Sequence, residues 1–209
     1  MKEIIGKKLV MTQIFSADGL IIPVTVVEAG PCSVLQHKTV DKDGYEAVKV
    51  AFQNTRESLK NKAELGEFKK ANVEAKKYVA ELKFDNYDNL SVGSEIKCDI
   101  FKEGEKVDVS GTTRGRGFTG VIQRWNAARH RMTHGVSLVH RAPGSNGATS
   151  SVSRVLKGMK GPGHYGNETV TIQNLEVVKV DTDRNVLLIK GSVPGPKGAI
   201  LKIKGAVKA

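Results

Sequence analysis

Between Asp108 and Glu168 the chain has no aspartate or glutamate, a gap of 59 residues, although the other 150 residues carry 22 acids. Cysteine is scarce as well. Cys32 and Cys98 are the only two, and neither belongs to a C-x-x-C pair, which excludes a disulfide framework and a zinc ribbon. No apolar run approaches the length of a membrane-spanning helix, and residues 1–8 lack the apolar core of a signal peptide, so a cytosolic protein is predicted. Aromatic residues make up only 5% of the chain. No carboxylate lies close to the histidines of the acid-free stretch, so no Ser/His/Asp or Cys/His constellation can be assembled, and a catalytic role is not predicted.

What is present points to a polyanion. Thirty-three lysines and arginines against 22 acids give a net charge of +11, and so much excess positive charge repels itself until phosphates or similar groups neutralise it. The charge is also segregated. Arg114, Arg116, Arg124, Arg129, Arg131, Arg141, Arg154, Lys157 and Lys160 place +9 inside the acid-free gap, while the rest of the chain, 24 basic residues against 22 acidic, totals +2. A solvated charged face normally mixes both signs, so a basic stretch stripped of acid reads as a binding segment. It also holds His130, His134, His140, His164 and 11 of the 22 glycines. Sparse apolar residues and the backbone entropy of glycine leave it unable to build a core, so a partner is predicted to order it. Folded out and back, each limb of about 29 residues would reach at most about 95 Å.

The flanks read as short strands, with 39% hydrophobic and 26% charged residues overall, the balance of a globular chain. Asp18-Gly19 marks the turn of a hairpin over 14–21, with Pro23 placed at a strand start or edge and a strand following from Val24 to Glu28. Another strand is predicted from Tyr45 to Phe52, where Val48, Val50 and Phe52 alternate as a buried face with Lys49 and Ala51 as an exposed one. Leu201 and Ile203 alternate in the same way with Lys202 and Lys204. Cys98 is predicted on the buried face of a strand beside Ile96 and Ile100. Residues 169–180 and 185–190 flank an Asp-rich turn and form a long hairpin, followed by a connection over 194–198. One helix is predicted over 62–71, capped by Asn61 and Glu64, within a helical insertion at about 58–78. The resulting fold is mainly β (β-rich α+β). Residues 1–108 and 168–209 close together as a small Greek-key-type barrel body, and 109–167 form a long, largely irregular extension inserted into it.

Within the extension, Gly115-Arg116-Gly117-Phe118-Thr119-Gly120 matches the G-x-G-x-x-G of dinucleotide sites. A Rossmann site is rejected because no acid follows about 20 residues on and the next residues are no convincing helix. The same residues suit RNA: glycine lets backbone approach phosphate, arginine presents forked donors, and Phe118 can stack or pack. His130 and His134 have the spacing of a helical metal pair but no third ligand nearby, so contacts to phosphate or base are assigned instead. Trp125, the sole tryptophan, is assigned to packing ahead of base stacking. No cofactor, metal or small-molecule substrate is predicted.

Several unlinked motifs occur in one order: Gly6-Lys7-Lys8 with Met11-Thr12 and Ile14-Phe15; Val107 to Thr112 leading into Arg114 to Phe118; Arg124-Trp125-Asn126; Thr133-His134-Gly135; His140-Arg141 with Pro143-Gly144-Ser145; Gly166-Asn167-Glu168; and Asn185 to Gly191. In these the chain closely resembles the bacterial large-subunit ribosomal protein L three family over essentially its whole length. The resemblance implies a closed six-stranded barrel on the subunit surface, direct binding of large-subunit (23S) rRNA, an early part in assembly, and a loop reaching toward the peptidyl-transferase centre. It implies neighbours from the L fourteen and L nineteen families, and it adds Lys7, Lys8 and Ser150 to the RNA-contact positions. Val10 stands where family members often have glycine, and Ser150 where some bacterial members carry a glutamine that becomes methylated.

Overall fold

The computed structural model describes residues 2–84, 90–147 and 151–208. It divides into two compact units, Met1–Thr112 with Thr169–Ala209, and Thr113–Glu168.

The first unit is built from β1 (Glu3–Phe15), β2 (Ile21–Ala29), β3 (Cys32–Lys38), β4 (Ala47–Asn54), β5 (Lys76–Leu82), β6 (Glu95–Ile96), β7 (Lys106–Thr112), β10 (Thr169–Asp181), β11 (Val186–Lys190) and β12 (Ile200–Gly205). Its short helices are α1 (Val40–Asp43) and α2 (Lys62–Lys70). Six strands close an antiparallel barrel in the order β1-β12-β7-β10-β11-β2. Closure depends on β1 pairing with β12 and β2 with β11, which join the N-terminal strands to the C-terminal ones. A barrel of this kind leaves no long edge for its paired segments.

The hairpins follow turn chemistry. Gly19 adopts φ +77° and its N–H donates to Ser16 O, closing the β1–β2 turn. In the β10–β11 turn, the Arg184 N–H donates to Asp181 Oδ1 and Asn185 takes φ +53°. β2 starts at Ile21, two residues before Pro23, so the proline lies within the strand, opposite Gln13.

β5-β4-β3-β6 form a second antiparallel sheet that shares one core with the barrel. Ile4, Val27, Val109, Leu187 and Ile203 fill the barrel side, and Val34, Val48, Val50, Phe52 and Leu82 the sheet side. Burying side chains of this size stabilises the fold by about 1.5–3 kcal/mol each.

Two expectations change here. Ala51, predicted to be exposed, is fully buried, because α2 lays Phe68 and Ala71 over that face of β4. Cys98 is buried as predicted, but it opens a 3-10 turn over Cys98–Ile100 rather than sitting in a strand, since β6 stops at Ile96. The α2 cap is the predicted one: Asn61 Oδ1 accepts from the Glu64 N–H at 2.8 Å and Glu64 Oε2 from the Asn61 N–H at 3.2 Å.

The second unit holds β8 (Phe118–Thr119), α3 (Val121–Trp125) and β9 (Gly163–His164), and is otherwise irregular. The acid-free stretch starts before this unit does, because residues 109–112 belong to barrel strand β7. Among its described residues only Thr119, Val121 and Gly166 are buried, so it has no hydrophobic core of its own.

Candidate nucleic-acid interface

The two limbs of the inserted unit meet at its base through backbone pairing. Thr113 N–H donates to Glu168 O, Arg116 N–H to Tyr165 O, and Tyr165 N–H to Gly117 O, at 2.8–3.0 Å. Beyond these bonds Phe118 and Thr119 pair with His164 and Gly163 as β8 and β9. Two glycines make the approach possible. Gly166 has φ +74°, and a Cβ there would overlap the Arg114 carbonyl. At Gly163 a Cβ would lie 2.5 Å from Arg124 Nη1.

Arg124 uses the space so opened. Its Nη1 donates to Gly161 O at 3.0 Å, and Trp125 Nε1 donates to the same carbonyl at 2.8 Å. The Arg124 guanidinium lies 5.0 Å from the Trp125 ring centroid and Lys160 Nζ 6.0 Å from it. On the neighbouring pair, Arg116 lies 4.9 Å from the ring of Tyr165. Aromatic faces attract such cations without neutralising them, so the positive charge stays available to an anion. Trp125 thus anchors the limbs through its N–H, while its ring remains partly exposed rather than packed in an apolar core.

The structure brings Arg116, Phe118, Arg124, Trp125, Lys160 and His164 to the paired base of the unit. A second group forms where His130 N–H donates to His140 O at 3.1 Å and His140 Nδ1 lies 3.0 Å from Arg131 O. His130 and His134 lie in irregular chain, with His134 at φ +60°, so their four-residue spacing does not align them on a helix face. Arg154 and Lys157, with Val155, Leu156 and Met159, line an open cavity of about 610 Å³. Arg114, Arg129 and Arg141 are exposed at separate points along the unit. Ser150 lies outside the described residues.

Among the described residues none of the nine cations of the acid-free stretch forms an ion pair. Large apolar side chains are exposed beside them: Phe118 is 81% and Leu138 97% accessible, and Met132, Val139, Val155 and Leu156 are also exposed. Unpaired cations interleaved with exposed apolar groups suit a surface that meets phosphates and bases together.

Lys8 is placed differently. Its Nζ donates to Val193 O and Gly195 O, each at 2.9 Å, and burial lowers its pKa. It ties the β11–β12 connection to β1, while Lys7 beside it is half-buried. Tyr165 and Gly161 were not singled out by sequence, although a lone aromatic two residues after Gly163 marks the place where the limbs meet.

The residues after the G-x-G-x-x-G stretch, read as no convincing helix, form α3 right after Gly120. This helix is only five residues long, β8 lies inside the motif, and every strand pairing among the described residues is antiparallel. No βαβ unit surrounds the motif, so the rejection of a dinucleotide site rests on topology as well as on the missing acid.

The family model described as ribosomal protein L3 matches residues 36–187, well over half of the chain, including the whole acid-free stretch. The chain belongs to the ribosomal protein L3 family and is a structural protein of the large ribosomal subunit, not an enzyme by family.

Proposed function

We propose that the protein binds 23S rRNA directly through residues 113–167, the part of the acid-free stretch beyond barrel strand β7, which penetrates the RNA while the rest of the chain remains as the barrel body on the subunit surface. The observation that carries this reading is the +9 charge of residues 113–167, which hold no acid and, among the described residues, no ion pair and no hydrophobic core of their own. Phosphates neutralise the cations and displace their condensed counterions, and bases and sugars cover the exposed apolar side chains. The bound stretch braces neighbouring RNA helices near the peptidyl-transferase centre, so its contribution is architectural. RNA contacts are assigned to Lys7, Arg114, Arg116, Phe118, Arg124, Trp125, Arg129, His130, Arg131, His134, His140, Arg141, Ser150, Arg154, Lys157, Lys160 and His164. Lys8 contributes by holding the β11–β12 connection.

Early entry into assembly follows from the same physics, because a stretch that must thread between RNA helices has to be in place before they pack. The body then meets neighbours of the L fourteen and L nineteen families in the cytoplasmic subunit. Deleting 113–166 and bridging the ends with a short glycine-serine linker tests the reading. The expected result is a folded body with at least a hundredfold weaker affinity for 23S rRNA. Retained affinity would move the binding surface to the barrel.

A further inference from the structure

The β1–β2 hairpin outruns the barrel. β12 pairs with β1 only over Glu3 to Lys7, and its last link is made by Lys8, whose N–H donates to Ala199 O and whose carbonyl accepts from Gly198 N–H. A register shift follows between Lys8 and Val10, and from Val10 to Phe15 β1 pairs with β2 alone. The outer edge of that segment is therefore an open sheet edge.

Hydrogen-bond phase shows which groups face it. Ser16 N–H donates to Leu20 O, so bonded pairs recur at Ile14/Ile22, Thr12/Val24 and Val10/Val26. Pro23, which has no N–H to give, sits opposite Gln13 in an unbonded pair. Met11, Gln13 and Phe15 consequently turn their N–H and C=O groups outward, at intervals of about 7 Å along the strand.

Edges of this kind are normally blunted by proline, lysine or a covering loop. The opposite edge of the hairpin is: Pro23 lacks a donor and its carbonyl accepts from Gly191 N–H at 2.8 Å. Among the described residues the β1 edge has none of these. One face of the hairpin is largely apolar beside it, with Phe15, 67% accessible, directly across from Ile21, 59% accessible, Met11 exposed farther along, and Gln13 across from Pro23 between them.

Charge decides between RNA and protein as the occupant. Positions 9–24 contain one charged residue, Asp18, and no lysine or arginine, in a chain of net charge +11. Phosphates would find no cation there and could not donate to the outward carbonyls. A protein strand supplies donors and acceptors in the required alternation, and its own side chains can cover the apolar face.

We propose that the β1 edge from Met11 to Phe15 docks one extended strand of another protein of the large subunit. That strand is uncharged, and it is apolar at the alternate positions that face Met11, Phe15 and Ile21. The proposal rests on the chain's place in the large subunit.

The test uses large subunits assembled with the full chain carrying a benzophenone amino acid at position 11, 13 or 15. Co-sedimentation with the subunit is scored separately from crosslinking. The expected result is adducts with one short segment of one other protein, the attachment point moving by two residues as the probe moves by two. Adducts with rRNA, with a second copy of this chain, or with scattered protein sites overturn the proposal, as does the absence of adducts from a chain that co-sediments. A chain that fails to co-sediment overturns the ribosomal placement and the proposal together.

Gln13→Pro removes an outward N–H and no hairpin bond. It should leave the thermal midpoint of the isolated protein unchanged and cut the partner's adduct at position 15 at least tenfold. Should that variant misfold, Gln13→Lys places a charge on the same edge and should give the same loss. Full crosslinking in either folded variant overturns the proposal.

Discussion

Trp125 donates its indole N–H to the carbonyl of Gly161 at 2.8 Å, across the two limbs of the inserted unit and 36 residues along the chain. Arg124 donates to the same oxygen. One carbonyl thus fixes a tryptophan and an arginine together, and among the described residues no carboxylate pairs with that arginine. Trp125→Phe keeps an aromatic ring, though a smaller one, and removes the N–H, at about 0.5–1.5 kcal/mol for a hydrogen bond of this kind. Affinity for 23S rRNA in filter binding at fixed salt should fall about two- to tenfold, while the melting temperature of the barrel stays where it was.

Gly166→Ala attacks the limb pairing at the backbone. Positive φ disfavours alanine there, and the added Cβ meets the Arg114 carbonyl, so the limbs must separate. Hydrogen exchange should show loss of protection at the Arg116 and Tyr165 amides, with the barrel amides of Val109 and Leu187 still protected. Unchanged protection at Tyr165 would mean that the limbs are held elsewhere.

Lys8→Met separates a structural lysine from RNA-contacting ones. Its Nζ serves two carbonyls in the β11–β12 connection, so the variant should lose about 1–3 kcal/mol in urea unfolding. The salt dependence of RNA binding should not change. Arg116→Met should do the reverse, with ordinary stability and a log–log salt slope flatter by roughly one contact.

Alkaline pH should expose the state of Cys32. Burial pushes its thiol up to about 12 from 9.0, so the folded protein keeps the proton over a range in which the unfolded chain releases it. The unfolded state then binds fewer protons than the native one, and stability declines as pH rises from about 9 toward about 12. Cys32→Ala should make that decline shallower in denaturant titrations. An unchanged slope would assign the alkaline loss to other groups.

The parts of the fold legible in sequence are those in which local chemistry and final structure agree. Asp18-Gly19 and the Asp181 to Arg184 turn set their hairpins, Asn61 and Glu64 close the α2 cap, and alternation in 201–204 marks a barrel strand. The misses share a cause, which is contact between residues far apart in sequence. Ala51 looked exposed because its cover, Phe68, comes from a helix beyond the strand's own pattern. The bonds of Lys8 to the β11–β12 connection left no local signal because the carbonyls that accept them lie 185 and 187 residues away. At the candidate interface the charge bias was fully visible, since composition needs no geometry. The joint at Gly161 was not, because a backbone carbonyl has no signature in a list of side chains.

Salt dependence tests the central claim most directly. If about six of the nine cations of the acid-free stretch meet phosphate, the log of the 23S rRNA binding constant should fall against log salt with a slope of about −4 to −5. The chain lacking 113–166 should lose most of that slope. A nearly flat response in the full chain, or an equal slope in both, would contradict the account.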